Sequence, residues 1–300
     1  MLAVTILGNN SALPAYDRHP TAQVVTLDEY LFLVDCGEGT QMQLARYKVR
    51  RSRISHIFIS HLHGDHYFGL IGLITSMGLM NREHDLHLFG PAPLKELIDW
   101  QLNVAATTLP YTLHFHPLTE EGTIIKTEKF EVKAFKVFHR IECWGFRFAQ
   151  VKAPRKVNPV KARAHEIPAV FFDRLKQGED YTTQTGTIIR NELVTDPAPA
   201  PKTYAFAADT CYNEAIAEKV YGVDLLYHES TYLKELEDRA AARFHCTTTQ
   251  AAMIAKKASV GKLLLGHFSS KYEKLDAFEQ EAKEVFPNCE LALEGVTYRV

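Results

Sequence analysis

The sequence predicts an α/β protein in which buried sheets pack against helices, and two observations support this class. First, short apolar segments of strand character recur in both halves of the chain, from residues 2–7 to residues 262–265, with helical segments between them. Second, several of these segments end at a histidine or an aspartate, and strand ends are where site residues collect in α/β folds. Two sheets sandwiched between helices would explain the number of short, fully apolar strands.

The first half of the chain supplies four predicted strand regions and two predicted helices. The strands are residues 2–7, residues 24–25 paired with 30–34 as a hairpin, residues 54–60 and residues 85–89, and the helices are residues 67–80 and 91–105. The turn-like segment DCGEGTQ is expected to close the hairpin pair. Pro91 suits the first turn of a helix, where its missing N–H costs no hydrogen bond.

The second half contains four more predicted strands, each followed by polar residues. They are residues 130–138, 204–208, 223–227 and 262–265, and they lead to His139, Asp209, His228–Glu229 and Gly266–His267. Thr247 and Gln250 form a predicted capping box for a helix that runs to about Ser259, with Gly261 as its stop.

Residues 151–201 differ from the rest of the chain. They are rich in Lys, Arg, Pro and Thr, and they contain no strong strand pattern. The segment is long for a connection inside a compact domain. We therefore predict an inserted, protruding element with a short helix near residues 159–164, within an otherwise single domain that spans residues 1–300.

Composition indicates an ordinary globular chain, with 46% apolar and 23% charged residues and a formal charge of −2. The global charge is less basic than that of most nucleic-acid-binding proteins. The five cysteines are odd in number and lack C-x-x-C spacing, which favours reduced thiols over disulfides or a cysteine zinc site. The first residues lack a signal-peptide pattern, and no apolar run is long enough for a membrane span. We expect a cytoplasmic protein without membrane contact.

An H-x-H-x-D-H motif at residues 61–66 is the strongest chemical signal. His61 and His63 are two residues apart, so in an extended loop their side chains point the same way. Asp65 and His66 lie where the loop turns into a helix and can face a second metal, and Gly64 permits the turn between the pairs. Imidazole and carboxylate are the ligands of catalytic zinc.

The four residues of the motif cannot complete the coordination spheres of two metal ions. Further ligands are therefore expected at His139, Asp209 and His267, each just past a predicted apolar strand. Asp209 is the candidate carboxylate to bridge two cations. A lone histidine at a strand end is more often structural than ligating. We interpret seven others as solvated or structural, namely His19, His56, His84, His87, His114, His116 and His165.

Motifs along nearly the whole chain resemble the ribonuclease Z family of the metallo-β-lactamase fold. They are LGNNSALP at residues 7–14, VDCGEGTQ at 34–41, ISHLHGDHYFGL at 59–70, ADT at 208–210, HEST at 228–231, FHCTTTQAA at 244–252 and LGHFSSKY at 265–272. The H-x-H-x-D-H motif alone would indicate only the superfamily. The resemblance implies an αββα sandwich with an inserted flexible arm.

The resemblance also implies roles for individual residues. His61, His63 and His139 would hold a first zinc ion, Asp65, His66 and His267 a second, with Asp209 bridging the two. Asp65 matches the family's proton acceptor. His245 matches a histidine that supports the transition state or the leaving group, and Glu229 matches the acidic residue that orients it.

The implied activity is removal of the 3′ trailer from precursor tRNA by a zinc-dependent endoribonuclease that acts as a homodimer and leaves a tRNA 3′-hydroxyl. Two zinc ions about 3.5–4 Å apart can clamp the attacking and leaving oxygens, and zinc lowers the pKa of its bound water to about 7, which supplies hydroxide. Two alternatives are a small-molecule phosphodiesterase or other hydrolase of the same fold, and a non-catalytic RNA-binding protein with a relic site. The second would be expected to have lost ligands.

Residues 151–201 fall where the family carries its tRNA-binding arm, and residues 175–190 resemble the arm's returning limb. The sequence departs from the family where Pro168-Ala169-Val170-Phe171 replaces a usual Gly-Pro pair. Basic residues that arm-type phosphate contacts would use are Lys152, Arg155, Lys156, Lys161 and Arg163. A second basic run, residues 46–53, is a further candidate along the substrate path.

Overall fold

The backbone, described for all 300 residues by a computed structural model, divides into two units. The larger comprises Met1–Lys126, Glu131–Ala149 and Lys202–Val300, and the smaller comprises Thr127–Phe130 and Gln150–Pro201. None of the helices is both long and apolar enough to cross a membrane.

The first sheet of the larger unit has seven strands, numbered here along the chain. They are β1 (Leu2–Gly8), β2 (Ala22–Leu27), β3 (Tyr30–Val34), β4 (Ile54–Phe58), β5 (Leu86–Pro91), β6 (Leu113–Leu118) and β18 (Thr297–Arg299). Their order is β18-β1-β2-β3-β4-β5-β6. Strands β1 to β3 and β18 pair antiparallel, whereas β3 to β6 pair parallel.

The second sheet also has seven strands. They are β7 (Gly122–Lys126), β8 (Phe130–Lys136), β9 (Trp144–Gln150), β14 (Thr203–Ala207), β15 (Leu225–Glu229), β16 (Lys262–Gly266) and β17 (Cys289–Leu291). Their order is β17-β16-β15-β14-β9-β8-β7, with β14 to β17 parallel. The carboxyl ends of these parallel strands therefore meet along one edge of the sheet.

Helices pack against both sheets of the larger unit. They are α1 (Thr40–Arg46), α2 (Gly64–Tyr67), α3 (Leu70–Leu79), α4 (Pro93–Val104), α8 (Ala215–Lys219), α9 (Glu237–Ala242), α10 (Thr248–Lys257) and α11 (Asp276–Val285), with 3₁₀ turns at Arg51–Arg53 and Lys234–Leu236. Ile57 and Leu88 of the first sheet share a buried cluster with Leu73 and Ile98 of the helices. Burial of such aliphatic side chains is the main stabilising term of this layer.

Aromatic side chains fill the space between the two sheets. The ring centroids of Phe58 and Phe146 are 5.3 Å apart, and those of Phe32 and Phe148 are 5.6 Å apart. All four rings are fully buried. Helix, sheet, sheet and helix thus form four layers, which confirms the predicted αββα sandwich.

The structure corrects several local predictions. The hairpin of β2 and β3 turns at Asp28, whose φ of 52° is left-handed, and the segment predicted to close it runs instead from β3 into α1. Pro91 is the last residue of β5, and Pro93 occupies the first turn of α4. The helix predicted over residues 67–80 is α3, which begins at Leu70, and a separate short helix, α2, begins within the H-x-H-x-D-H motif at Gly64. The predicted capping box of Thr247 and Gln250 is present.

The smaller unit has its own secondary structure. Strand β10 (Lys156–Val157) pairs with β13 (Thr195–Asp196), and β11 (Tyr181–Thr182) pairs with β12 (Ile188–Ile189). The helices are α5 (Pro159–Ala164), α6 (Phe172–Lys176) and α7 (Asn191–Val194), with a 3₁₀ turn at Ala169–Phe171. A small core of Ala162, Ile167, Leu175, Ile189 and Val194 holds it together. The helix predicted near residues 159–164 is present, and Asn158 caps it by accepting from the Lys161 N–H.

Candidate metal centre

Three histidines that the sequence analysis assigned to a first metal ion lie together. His61 Nε2 is 3.0 Å from His63 Nδ1, which is 3.1 Å from His139 Nε2. His61 and His63 come from the loop after β4, and His139 follows β8. Asp209, just past β14, completes a group whose ligand atoms all lie within 4.8 Å of one another. Three imidazoles and a carboxylate gathered in this way could together hold a divalent metal ion.

A second group of four contains Asp65, His66, His267 and again Asp209. Asp209 Oδ1 lies 3.1 Å from His267 Nε2 and 3.4 Å from His66 Nε2. Asp65 Oδ2 lies 3.4 Å from His267 Nε2. All seven side chains predicted as ligands are therefore brought together, and they divide into the two predicted groups.

Asp209 is the one residue that both groups share. Its side chain is 3% exposed, and its Oδ1 atom faces the imidazole nitrogens of His66 and His267 rather than a hydroxyl or a backbone N–H. Its other oxygen, Oδ2, is 3.7 Å from His61 Nε2 in the first group. A buried carboxylate is costly unless a cation neutralises it, so the position fits a ligand that bridges two divalent ions.

Hydrogen bonds outside the groups fix which ring nitrogen faces the cluster. Nδ1 of His61 lies 3.0 Å from Ser60 Oγ, and Nδ1 of His66 lies 2.6 Å from Asp35 Oδ2. Nδ1 of His139 lies 2.9 Å from the Phe244 carbonyl oxygen, and Nδ1 of His267 lies 2.9 Å from Thr231 Oγ1. An Nδ1–H that donates outward leaves the Nε2 lone pair free for a metal. The donor set is thus oriented by the protein as well as gathered by it.

Sequence analysis gave no role to the residues that provide this orientation. Asp35 is fully buried and accepts from Ser60 N and Oγ as well as from His66. Its φ of 56° is left-handed, which is unusual for a residue other than glycine. A polar residue directly after the buried strand β3 was the available signal. Thr231 and Phe244 lie in the motifs HEST and FHCTTTQAA, but those motifs do not indicate that their hydroxyl and backbone carbonyl orient His267 and His139.

The first group suits a cation because its imidazoles are neutral. Burial, reinforced by the neighbouring imidazoles, lowers the pKa of His61 well below its usual value. Burial together with His139 and Arg140 lowers the pKa of His63 to about 4, and burial also lowers that of His139. Neutral imidazole is the form that binds metal.

The second group carries more negative charge. Burial disfavours charge on His66, but Asp209, Asp65 and Asp35 together raise its pKa well above the usual value. Burial would likewise raise the pKa of Asp65, but His66 and His267 lower it. Asp65 also accepts from the Ala12 N–H at 2.8 Å. The group therefore favours positive charge in its centre, as a divalent ion supplies.

Gly64 lies against a neighbouring side chain rather than in a turn that needs glycine. A β-carbon at this position would lie 2.2 Å from the ring of Phe68, and no left-handed φ is involved. The strained backbone lies elsewhere, at His267, whose φ is 60°. Such strain at a ligand-bearing residue is typical of functional sites.

His245 and Glu229 form a buried pair beside the two groups. His245 Nδ1 lies 2.9 Å from Glu229 Oε1, and Glu229 also accepts from the backbone N–H groups of Thr210, Thr231 and Cys246. Burial would lower the pKa of His245, but Glu229 and Asp209 raise it to about 9. His245 is thus a cation at neutral pH, and its Nε2–H remains available as a proton donor.

These groups open into a cleft of about 1080 Å³. Its lining includes four basic side chains, those of Arg140, Arg239, Arg243 and Lys271, whereas Glu38 is the one acidic lining residue outside the metal-ligand groups. Arg140 Nε lies 3.1 Å from His63 Nε2. Positive charge is therefore concentrated at the site in a chain whose formal charge is −2.

Comparisons with known proteins agree with this description. The family model described as Anti-Pycsar protein Apyc1 matches residues 2–151. Ribonuclease Z of Bacteroides fragilis is 42% identical over 293 residues, which are 97% of this chain and 96% of that protein. The crystal structure of human tRNase Z, short form, has a TM-score of 0.73 at 25% identity and 99% coverage of both chains. The metallo-β-lactamase fold protein YhfI from Bacillus subtilis has a TM-score of 0.70 at 20% identity, with 100% coverage of both.

The αββα layers and the clustered imidazole and carboxylate groups define a divalent-metal-dependent hydrolase of the metallo-β-lactamase fold. Asp209, Glu229, His245 and His267 all lie beyond the half of the chain that the Apyc1 model matches. The relatives that span the full length decide the family. The chain belongs to the ribonuclease Z family, which confirms the resemblance found in the sequence.

Proposed function

We propose that this chain is a zinc-dependent endoribonuclease that removes the 3′ trailer from precursor tRNA and leaves a 3′-hydroxyl on the tRNA. The observation that carries the proposal is Asp209, a buried carboxylate shared by two metal-ligand groups, in a chain of the ribonuclease Z family. The basic cleft around it suits a polyanionic substrate.

Two zinc ions would be held by the two groups, the first by His61, His63 and His139 and the second by Asp65, His66 and His267, with Asp209 between them. Zinc bound there would act as a Lewis acid on phosphoryl oxygens and lower the pKa of a water molecule. The protein's own contribution is to fix the ligand atoms and to exclude competing contacts, through the hydrogen bonds to Asp35, Ser60 and Thr231.

Protons would move through two residues of the cleft. Asp65 is ionised at neutral pH and is placed to accept a proton on the side of the second group. His245 is protonated at neutral pH, and Glu229 holds its Nδ1–H, so its Nε2–H can donate to the departing 3′-oxygen of the tRNA. A positioned general acid of this kind contributes about 10²–10⁴-fold to a rate.

The pH dependence of cleavage should report on His245. Because its pKa is raised to about 9, the protonated acid is present below that pH and is lost above it. We expect kcat/KM for precursor tRNA to fall above about pH 9. Glu229→Gln removes the carboxylate that stabilises protonated His245. The pH at which kcat/KM falls should therefore move towards the ordinary histidine pKa of about 6.5.

The measurement is a pH–rate profile of wild type, Glu229→Gln and His245→Ala, each with its zinc content determined. His245→Ala should lose this limb altogether. An unchanged limb in Glu229→Gln would assign the ionisation to another group.

The arginines of α9 and its end should provide phosphate contacts. Arg239 and Arg243 are four residues apart and both line the cleft, so they present cations on one face. We expect Arg239→Ala/Arg243→Ala to reduce the slope of log(kcat/KM) against log[salt] by about two, one for each lost phosphate contact. Hydrolysis of bis(p-nitrophenyl) phosphate should change little, because this small ester has one phosphate.

The matched control is Arg299→Ala, which removes an exposed arginine of β18 that does not line the cleft. It should leave the salt slope for precursor tRNA as in wild type. An equal loss of activity on both substrates in the double variant would indicate damage to the metal centre.

We also propose that residues 151–201 bind the tRNA body and that two chains act together as a homodimer. Support for the first comes from the exposed basic side chains of the smaller unit, including Lys152, Lys156, Lys161 and Arg163, which suit phosphate contacts. Support for the second comes from the family resemblance.

The experiment that tests the proposed function is incubation of zinc-loaded protein with a 3′-extended precursor tRNA and, separately, with bis(p-nitrophenyl) phosphate. A single cut after the discriminator base supports the proposal. Hydrolysis of the small ester without any cut in the precursor would assign the chain to the alternative, a small-molecule phosphodiesterase of the same fold.

A further inference from the structure

Four of the histidines interpreted as solvated or structural lie on one face of the first sheet, on the last three strands of its order. They are His56 of β4, His87 of β5, and His114 and His116 of β6. The register places His56 beside His87 and His87 beside His114, and both of these ring pairs stack with centroids 4.9 Å apart. Strand β6 is the last strand of its sheet, so this row of imidazoles reaches a free edge.

Two of these rings point nitrogen atoms at each other. His87 Nδ1 and His116 Nε2 are 3.0 Å apart, the same separation as between His61 Nε2 and His63 Nδ1 in the candidate metal centre. Both rings are partly exposed, so an ion from solvent can reach the gap. Neither residue lines the cleft of the metal centre.

We infer that His87 Nδ1 and His116 Nε2 form a separate binding site for a divalent first-row transition-metal ion, with water completing the coordination. Imidazole nitrogens suit nickel, copper and zinc in preference to magnesium or calcium. Two strands of one sheet fix the pair, so little conformational freedom is lost when an ion binds.

The surroundings favour occupation at neutral pH. Burial and the neighbouring imidazoles lower the pKa values of both His87 and His116, so the rings are neutral, as metal binding requires. His114 contacts Asp85 Oδ2 at 2.8 Å and stacks on His87. This carboxylate adds negative charge next to the pair, which favours a bound cation.

A hydrogen bond between two neutral rings would give the same separation, because one nitrogen can carry the proton that the other accepts. The two explanations differ in their consequence. A hydrogen-bonded pair that never binds metal adds no metal capacity to the protein, whereas a metal site adds one equivalent that depends on both rings.

The test is a titration of zinc-loaded protein with Ni²⁺ that is monitored by calorimetry and by ¹⁵N-histidine NMR. In the NMR spectra a paramagnetic ion broadens the signals of the nearest imidazole rings. Wild type should bind one Ni²⁺ beyond its zinc, with His87 and His116 broadened first. His87→Asn and His116→Asn should each weaken this binding by about tenfold or more, since even residues that only orient a ligand change metal affinity by about 10–100-fold.

His84→Asn is the matched control, because His84 is an exposed histidine outside the pair. It should bind Ni²⁺ as wild type does. All variants should keep their zinc content and melting behaviour, which separates this site from the metal centre and from misfolding. Absence of an additional Ni²⁺ in wild type, or binding as tight as that of wild type in His87→Asn and His116→Asn, would overturn the inference. Because the readout is Ni²⁺ binding, it is independent of whether precursor tRNA is the substrate.

Discussion

Replacement of Asp209 by asparagine should abolish precursor cleavage while leaving the fold intact. Asparagine keeps the size of the side chain and removes its charge, so the αββα layers lose no packing. Asp209 is the carboxylate that contacts both metal-ligand groups, with distances of 3.1 Å to His267 and 3.7 Å to His61. We expect kcat to fall by at least about 10³-fold, as is common when one member of a jointly acting catalytic set is removed.

Metal content should change with the rate. Wild type should hold two zinc ions per chain after dialysis against dilute zinc, and Asp209→Asn should hold fewer than two, measured by elemental analysis. Asp224→Asn is the control, because Asp224 is a partly buried aspartate that contacts Thr203 at the start of β14 and lies outside the cleft. If Asp209→Asn kept two zinc ions and its activity, the bridging role would be wrong.

The sequence was sufficient to predict which candidate side chains come together because all of them lie in segments that follow strands. Parallel strands of one sheet end at the same edge, so His267 and Asp209, 58 residues apart in the chain, are neighbours once β14, β15 and β16 pair. The alternation of apolar strand segments with helical segments likewise predicted layers of sheet and helix.

Other parts of the site were beyond sequence reasoning. The orientation of His139 depends on the carbonyl of Phe244, and any residue could supply a carbonyl. Arg140 follows β8, whereas Arg239 and Arg243 belong to α9 and its end, so their convergence on one cleft depends on the tertiary fold. The low global charge of the chain pointed away from a nucleic-acid substrate, because composition averages over a surface on which the basic residues are locally concentrated.

The row of histidines on β4, β5 and β6 shows the same limit. Each one is unremarkable in sequence, and alternation along a strand predicts only which face it shares with its neighbours. Register decides whether two rings from different strands meet, and register was not predictable between parallel strands joined by helices.

Deletion of residues 151–201 should separate recognition of tRNA from hydrolysis. Ala149 of β9 and Thr203 of β14 are directly paired across antiparallel strands, so the chain leaves and re-enters the larger unit at adjacent positions. A two-residue Asn-Gly turn between Gln150 and Lys202 should close these strands as a hairpin. The smaller unit has a core of its own, whose buried side chains all lie within residues 151–201, so the deletion removes that core whole.

We expect the deletion to lower kcat/KM for precursor tRNA by about 10²–10⁴-fold, the range by which a second linked binding site commonly raises affinity. Hydrolysis of bis(p-nitrophenyl) phosphate should stay within about twofold, because the metal centre lies wholly outside the deleted segment. Equal losses on both substrates would mean that the segment supports the fold of the centre.

A charge-only variant distinguishes phosphate contact from bulk. Lys152, Lys156, Lys161 and Arg163 are exposed, so changing all four to alanine should leave the core of the smaller unit intact. If these cations hold the tRNA, this variant should reproduce most of the deletion's loss at moderate salt and show a flatter salt dependence than wild type. Full activity in the charge-only variant, with loss only on deletion, would show instead that shape or apolar contacts of the segment recognise the tRNA.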